Sequence, residues 1–273
     1  MFLELTSETG AQTLFYALVL SAARIMGFIV ANPIFSRMGV QAGVVRGGII
    51  VVLSAPVFVA LYGDMLGEVV PGNFQMIGLI GKEILVGLLL ALILGVPFWA
   101  AAAAGDMVDL QRGASMASLV DPNTGEENTP TGTLFFLFAL FLFATQEWFR
   151  DIFLDTLYSS YEVWPVMRPL PELSLQATEL VLGLLASVMM IGLVLALPII
   201  ASLLLAELSM AIAGRYLPQL NIMLLALSAK QVIYVILLPI YFVSLIYFQE
   251  QVFETLGATL SLLTEMFTGE GSQ

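Results

Sequence analysis

Apolar positions in this chain run in long blocks instead of alternating with polar ones. Six such blocks cover residues 12–31, 46–62, 77–104, 133–149, 177–206 and 223–248. Most approach or exceed the roughly 20 residues that an α-helix needs to cross a hydrocarbon layer. Barrel strands would switch between polar and apolar at every second residue, so run length predicts helices. The first block carries Arg24 and stops at Asn32-Pro33, a helix-ending pair. The second is bounded by Gly63 and Asp64. The third bears Lys82-Glu83 near its start and Pro97 inside it. A proline there removes one backbone bond and predicts a kink over 94–97. The fifth and sixth contain Pro198 and Pro239, and a last stretch, 250–267, has apolar residues at helical spacing with four acids nearby. That stretch reads as an acidic tail or a surface helix. The pattern predicts an all-α, multi-helix membrane-type protein with about six long, Pro-kinked apolar helices.

Composition sharpens this. Of 273 residues, 59% are apolar and 11% charged, with 9 basic against 21 acidic residues and a net charge of −12. Soluble domains carry about 25% charged residues, and a water-soluble globular enzyme could not cover its surface with so few. Clustered Lys and Arg are what phosphate binding needs, so the acidic balance argues against nucleic acid. The absence of cysteine removes disulfides, iron–sulfur ligation and thiolate nucleophiles, and the absence of histidine removes the commonest metal ligand and general base.

The N-terminus carries Glu4 and Glu8 and no basic residue before its apolar block, unlike a secretory signal, so that block is expected to be a permanent helix. Gly39, Gly43 and Gly47 at four-residue spacing form either a close-packing small face or a loop. Ala100–Ala104 with Gly105 make a second small-residue surface. Arg37, Arg46, Arg112 and Arg215 lie in the connections after the first, third and fifth blocks, whereas the opposite side holds Arg150 and Arg168. This small excess of basic residues places the first set in the cytoplasm and both termini outside.

A charge within an apolar helix costs about 2.5–3.5 kcal/mol on insertion scales, so each needs a partner or water. Lys82 and Glu83 are adjacent and point in different directions on a helix, which disfavours a pair between them. Asp106, Asp109 and Arg112 follow at i, i+3 and i+6, so Asp109 and Arg112 are placed to pair. Glu207 and Arg215 flank the turn between the fifth and sixth helices, and Lys230 lies inside the sixth. These charges read either as a polar track for ions or, more readily, as pairs that fix helix register or join subunits. Catalysis fits poorly. Asp106 after Gly105 is an incomplete match to an intramembrane aspartyl protease, which wants glycine where Ala103 stands. Without histidine a serine triad cannot be built, and no phosphate loop or dinucleotide fingerprint occurs. No catalytic residue, cofactor or metal is therefore expected.

Four stretches carry a family resemblance. They are Lys82-Glu83 within a glycine-bearing helix; Pro97-Phe98-Trp99-Ala100 leading through Gly105 to Asp109-Leu110-Gln111-Arg112-Gly113-Ala114; Tyr158-Ser159-Ser160-Tyr161 with Trp164-Pro165; and Arg215-Tyr216-Leu217-Pro218-Gln219-Leu220-Asn221-Ile222 followed by Lys230. Together they resemble the SctT (YscT, SpaR, EscT) family of type III secretion export-apparatus proteins, homologous to flagellar FliR. The similarity runs nearly the whole chain in order. The Pro-Gln-Leu-Asn element is its most specific part, and Pro-Phe-Trp-Ala and Gln-Arg-Gly-Ala favour the virulence injectisome over the flagellum. Leu217 departs from the Ala that many members have there.

The resemblance implies a core component of the export gate at the bacterial inner membrane. It sits at the centre of the basal body, projecting to the periplasmic side. One SctT would join five SctR and four SctS copies in a helical channel for unfolded export substrates, with SctU and SctV as further partners. Residues 1–175 would be the SctR-like portion, 176–249 an SctS-like helical hairpin, and 250–273 the acidic tail or surface helix. The family's plug loop matches 112–122 here, with Arg112, Gly113, Ala114, Ser115, Met116, Ala117, Ser118, Leu119 and Val120 as candidate plug residues. Met116 among small residues suits a seal that must yield, because methionine repacks readily. Lys82, Glu83, Asp109, Arg215, Pro218, Gln219, Asn221 and Lys230 are candidate assembly or intersubunit residues. The competing reading is a stand-alone polytopic permease, whose midplane site the proline-interrupted helices would build. A membrane scaffold without a pore contribution is a third.

Overall fold

A computed structural model describes residues 8–37, 43–66, 72–113, 129–146, 148–168, 175–216, 219 and 221–268. Among them every regular element is helical: α1 (Glu8–Ala31), α2 (Pro33–Arg37), α3 (Gly43–Met65), α4 (Asn73–Arg112), α5 (Pro130–Thr145), a π-helical turn (Phe149–Leu154), α6 (Asp155–Val163), α7 (Leu175–Tyr216) and α8 (Ile222–Thr268). Helices satisfy all backbone polar groups within one segment, the condition that an apolar surrounding imposes. Five are long and apolar enough to cross a membrane, or six if the bent pair Pro130–Thr145 with Phe149–Val163 counts as one.

The long helices overrun the apolar blocks that announced them. Helix α7 continues past Glu207 to Tyr216, and α8 runs unbroken through Gln249, Glu250 and Glu254 to Thr268. Those polar residues interrupt hydropathy, but Glu, Gln and Arg are good helix formers, so the backbone has no reason to stop. Prolines mark ends only where the chain already turns. Pro56, Pro97, Pro198 and Pro239 all lie inside helices, whereas Asn32-Pro33 does break the chain. There Asn32 Oδ1 accepts the Ile34 amide at 3.0 Å and caps α2, with Pro33 in the first helical position where a missing N–H costs nothing.

The chain divides into two compact units. The first takes Met1–Gly95, Phe153–Val181 and Ser261–Gln273. In it α1 packs on α3 around Ala17, Leu20, Leu61, Met65, Met76 and Val166, and Phe28 meets Phe153 edge to face at 4.7 Å. Helices α1 and α4 cross with almost no side chain between them. A methyl group at Gly27 would strike the Ile84 carbonyl, and one at Gly87 the Arg24 carbonyl. The close-approach glycines are therefore this pair. Gly43 and Gly47 face open space within this chain, and Gly39 lies outside the described residues.

The second unit takes Val96–Ile152 and Leu182–Leu260. Its core is aromatic: Phe98 contacts Phe136, Phe143 and Phe253 at centroid distances of 6.1, 5.3 and 5.5 Å, and Trp148 lies 4.6 Å from Phe253. The small-residue surface 100–105 is used on two sides. Gly192 of α7 nests against Ala100 and Ala103, and Gly105 meets the backbone of Thr131 and Gly132 in the first turn of α5. Tyr241 donates to the Leu195 carbonyl, joining α8 to α7 one turn before Pro198.

Candidate functional site: two buried ion networks

Each unit holds one network of buried charge, and α4 supplies a central carboxylate to each, Glu83 and Asp109. In the first unit the Arg24 and Glu83 side chains are fully buried. Arg24 Nε donates to Glu83 Oε2 at 2.7 Å and Nη2 to Oε1 at 3.2 Å, the fork geometry in which guanidinium and carboxylate bind most strongly. Two more donors are used: Nη1 reaches Ser160 Oγ at 2.8 Å and Nη2 the Trp164 carbonyl at 2.6 Å. The Tyr161 ring lies under the guanidinium at 3.9 Å, a cation–π contact. Lys82 Nζ is caged by the carbonyls of Pro165, Val166 and Arg168 at 2.9, 2.8 and 3.0 Å.

Lys82 Nζ also lies 2.7 Å from Glu83 Oε1, against the expectation that neighbours on a helix do not pair. A four-carbon stem is long enough to bring the ammonium around the helix once the 165–168 turn holds it from above. One carboxylate thus serves two cations, and the cluster carries a net positive charge.

The second network closes around Asp109, whose residue is 2% exposed. Asp109 Oδ1 lies 2.7 Å from Arg112 Nε, the pair expected from i, i+3 spacing. The same carboxylate accepts the Thr131 amide at 2.8 Å through Oδ2 and the Thr131 hydroxyl at 2.5 Å through Oδ1. Thr129, the residue preceding α5, makes no side-chain cap bond, so Asp109 caps that helix from across the chain. A negative charge at a helix N-terminus also meets the favourable end of the helix dipole. Tyr234 OH sits 2.7 Å from Thr131 Oγ1, and its ring lies 4.5 Å from the Arg112 guanidinium. At the other helix end, Lys230 Nζ donates to the Gln111 carbonyl at 2.9 Å and meets Glu207 Oε2 at 3.3 Å. A cation on the last carbonyls of α4 is again the arrangement the dipole favours. Gly113, with φ +84°, then ends the helix in the left-handed conformation suited to glycine.

Asp106 is placed differently. Its Oδ1 is buried against Gly132 and has no hydrogen-bond partner among the described residues. Of the other sequence-predicted residues, Arg112 and Gly113 are described and 114–120 lie outside the described residues, as does Pro218. Arg215 and Gln219 are exposed at the turn between α7 and α8, and Asn221 Oδ1 accepts the Leu224 amide at 3.4 Å at the start of α8. Arg215, Gln219 and Asn221 are not joined to the buried networks by any described bond. Sequence reasoning missed Thr131 and Tyr234, and it marked Ser160 only as part of a family stretch, with no partner assigned. Arg24 was visible as a charge needing a partner, but nothing in the spacing says that the partner is Glu83. Among the described residues no group of acids could hold a metal ion.

Residues 15–256 match the family model described as bacterial export proteins, family 1. The chain is 35% identical over 218 residues to the Yop proteins translocation protein T of Yersinia pestis, covering 80% of this chain and 82% of that one. It is 30% identical over 240 residues to the surface presentation of antigens protein SpaR of Salmonella typhimurium, covering 84% and 88%. It is also 30% identical over 253 residues to the flagellar biosynthetic protein FliR of Bacillus subtilis, covering 92% and 93%.

Proposed function

Because this chain belongs to family 1 of the bacterial export proteins, we propose that it is the SctT-type subunit of a type III secretion export gate. One copy joins five SctR and four SctS copies at the inner membrane to frame the channel for unfolded proteins, with SctU and SctV as neighbours. The SctR-like portion is 1–175 and the hairpin 176–249. The segment 112–122 closes the channel at rest. The subunit is a structural wall and constriction, and it hydrolyses nothing.

The observation that best supports a structural role is the way charge is used. In both networks the cations are matched by a carboxylate, by carbonyls or by both inside the chain, which ties the helices of each unit into a rigid frame. Meanwhile α3, α7 and α8 present large apolar side chains outward, among them Val52, Val59, Leu205, Ile212, Val235 and Val243. Such faces suit packing against apolar neighbours. Arg215, Gln219 and Asn221 offer the polar contacts at the hairpin tip.

The test is native-gel recovery of the complex co-expressed with SctR and SctS, with secretion measured in parallel. Arg215→Ala with Gln219→Ala is expected to weaken recovery or secretion. Deletion of 114–122 is expected to leave the complex assembled but leaking small ions. Normal secretion and recovery in the double variant would refute the hairpin role. Unchanged conductance in the deletion would refute the plug role.

A further inference from the structure

We propose that Asp109 is a positioning residue that fixes the two points from which the chain leaves α4 and enters α5. This rests on the export-gate reading for its consequence, and on the geometry of the second unit for its mechanism. The Asp109 carboxylate contacts both sides of the gap. It holds Arg112, the last residue of α4, at 2.7 Å, and it takes the amide and hydroxyl of Thr131, the second residue of α5. Around it the two helices touch backbone to backbone, since Gly105 has room for no side chain against Thr131 and Gly132. Tyr234 of α8 then backs both partners at once, with its hydroxyl on Thr131 and its ring on Arg112. Gln231, one helical turn before, accepts from Arg112 Nη1 at 3.4 Å.

A purely local ion pair would need only Arg112. A purely local helix cap would use Thr129, which lies in the chain at the right place and is not used. The carboxylate performs both tasks with two oxygens, so the cap on α5 and the end of α4 cannot separate without exposing a buried charge. Its effect is then mechanical: the end of α4 and the start of α5 are held together at one carboxylate. Each ~1–2 kcal/mol lost from the cap and the buried pair makes stem separation about 5–30-fold more frequent.

The test uses the full chain assembled with SctR and SctS. Because the chain has no cysteine, spin labels introduced at Leu110→Cys and Leu134→Cys, both exposed in the chain, report the stem distance directly. Asp109→Asn and Thr131→Val are expected to broaden that distance distribution, with the separated population rising by at least about 5-fold, and to raise basal ion leak. Thr131→Ser, which keeps the hydroxyl, is expected to restore both. The double variant Asp109→Asn with Arg112→Gln removes the ion pair on both sides. If it shows a narrow distribution and normal leak, Asp109 serves only to neutralise Arg112, and the proposal is overturned. An unchanged distance in Asp109→Asn also overturns it. Deletion of 114–122 separates the two readings: if that deletion does not leak, the plug reading fails, while the spin-label distances still decide the role of Asp109.

Discussion

Replacing Glu83 with glutamine should cost the first unit far more than its size suggests. The two side chains have nearly the same shape, so no cavity opens and packing around Ile84 and Val86 is untouched. What changes is charge. Arg24 Nε and Nη2 and Lys82 Nζ all point at the Glu83 carboxylate, at 2.7, 3.2 and 2.7 Å, and both Arg24 and Glu83 side chains are fully buried. Removing one partner of a buried pair costs about 3–5 kcal/mol, because the remaining charge stays out of water without compensation. Here two cations remain. For a chain of this size each kcal/mol moves the melting temperature by about 2–4 °C, so Glu83→Gln is expected to lower it by about 6–20 °C. The reporter is built in, because the Trp164 carbonyl is one of the Arg24 ligands. Trp99→Phe with Trp148→Phe leaves Trp164 as this chain's one tryptophan, read during thermal unfolding of the purified chain in detergent. A double-mutant cycle with Lys82→Gln isolates the shared carboxylate, since removing one cation should relieve part of the loss. Coupling of about 0.5–3 kcal/mol between positions 82 and 83 is expected for residues in one network. Strict additivity, or a melting temperature in Glu83→Gln within about 2 °C of the parent, would refute the argument that one carboxylate holds two cations.

Gly87→Ala should destabilise through sterics alone, because the new methyl group meets the Arg24 carbonyl at the α1–α4 crossing; overpacking of this kind costs about 1–3 kcal/mol, whereas Gly47→Ala, where space is open within the chain, should leave the melting temperature of the isolated chain unchanged or raised. Asn32→Ala removes the cap on α2 and should cost about 0.5–2 kcal/mol. Asn32→Ser should cost less, since it keeps an accepting oxygen and drops the Asn32 Nδ2 that has no hydrogen-bond partner among the described residues; equal losses in the two variants, read by thermal unfolding, would contradict the capping role.

The helical class was legible because it depends on run length, which an apolar environment makes unambiguous. Helix ends were less so. Hydropathy reports where side chains are greasy, and α7 and α8 continue through Glu207, Gln249 and Glu250 because those residues favour helical backbone. The pairing of Asp109 with Arg112 was readable from spacing, as both lie on one helix face within a turn. The pairing of Arg24 with Glu83 was not, since it is set by how α1 crosses α4, and that crossing depends on Gly27 and Gly87 lacking side chains at one point. Glycine spacing of four drew attention to 39–47 instead. The long-range partners Ser160, Thr131 and Tyr234 carry no periodic signal at all, because each contributes a single hydroxyl at a place fixed by tertiary packing.

The sequence elements that mark the family are largely those that close the two networks. Ser160, Tyr161 and Trp164 surround Arg24, with Pro165 and its successors on Lys82, while Tyr158 donates to the Leu53 carbonyl of α3 at 3.1 Å. Asp109, Gln111 and Arg112 close the second network with Lys230. A side chain whose charge is matched at short range within its own chain has little left to offer across an interface, since Coulomb attraction falls with distance and a second partner would need further desolvation. On the export-gate reading proposed above, contacts with neighbouring subunits draw on what lies outside: the apolar flanks of α3, α7 and α8 and the polar tip at Arg215 and Gln219. Apolar faces bind through shape and tolerate sliding, so register has to come from a few directional groups. For that reason substitutions at the tip should disturb the order in which subunits join before they disturb the stability of the chain, whereas substitutions at Glu83 or Asp109 should do the reverse.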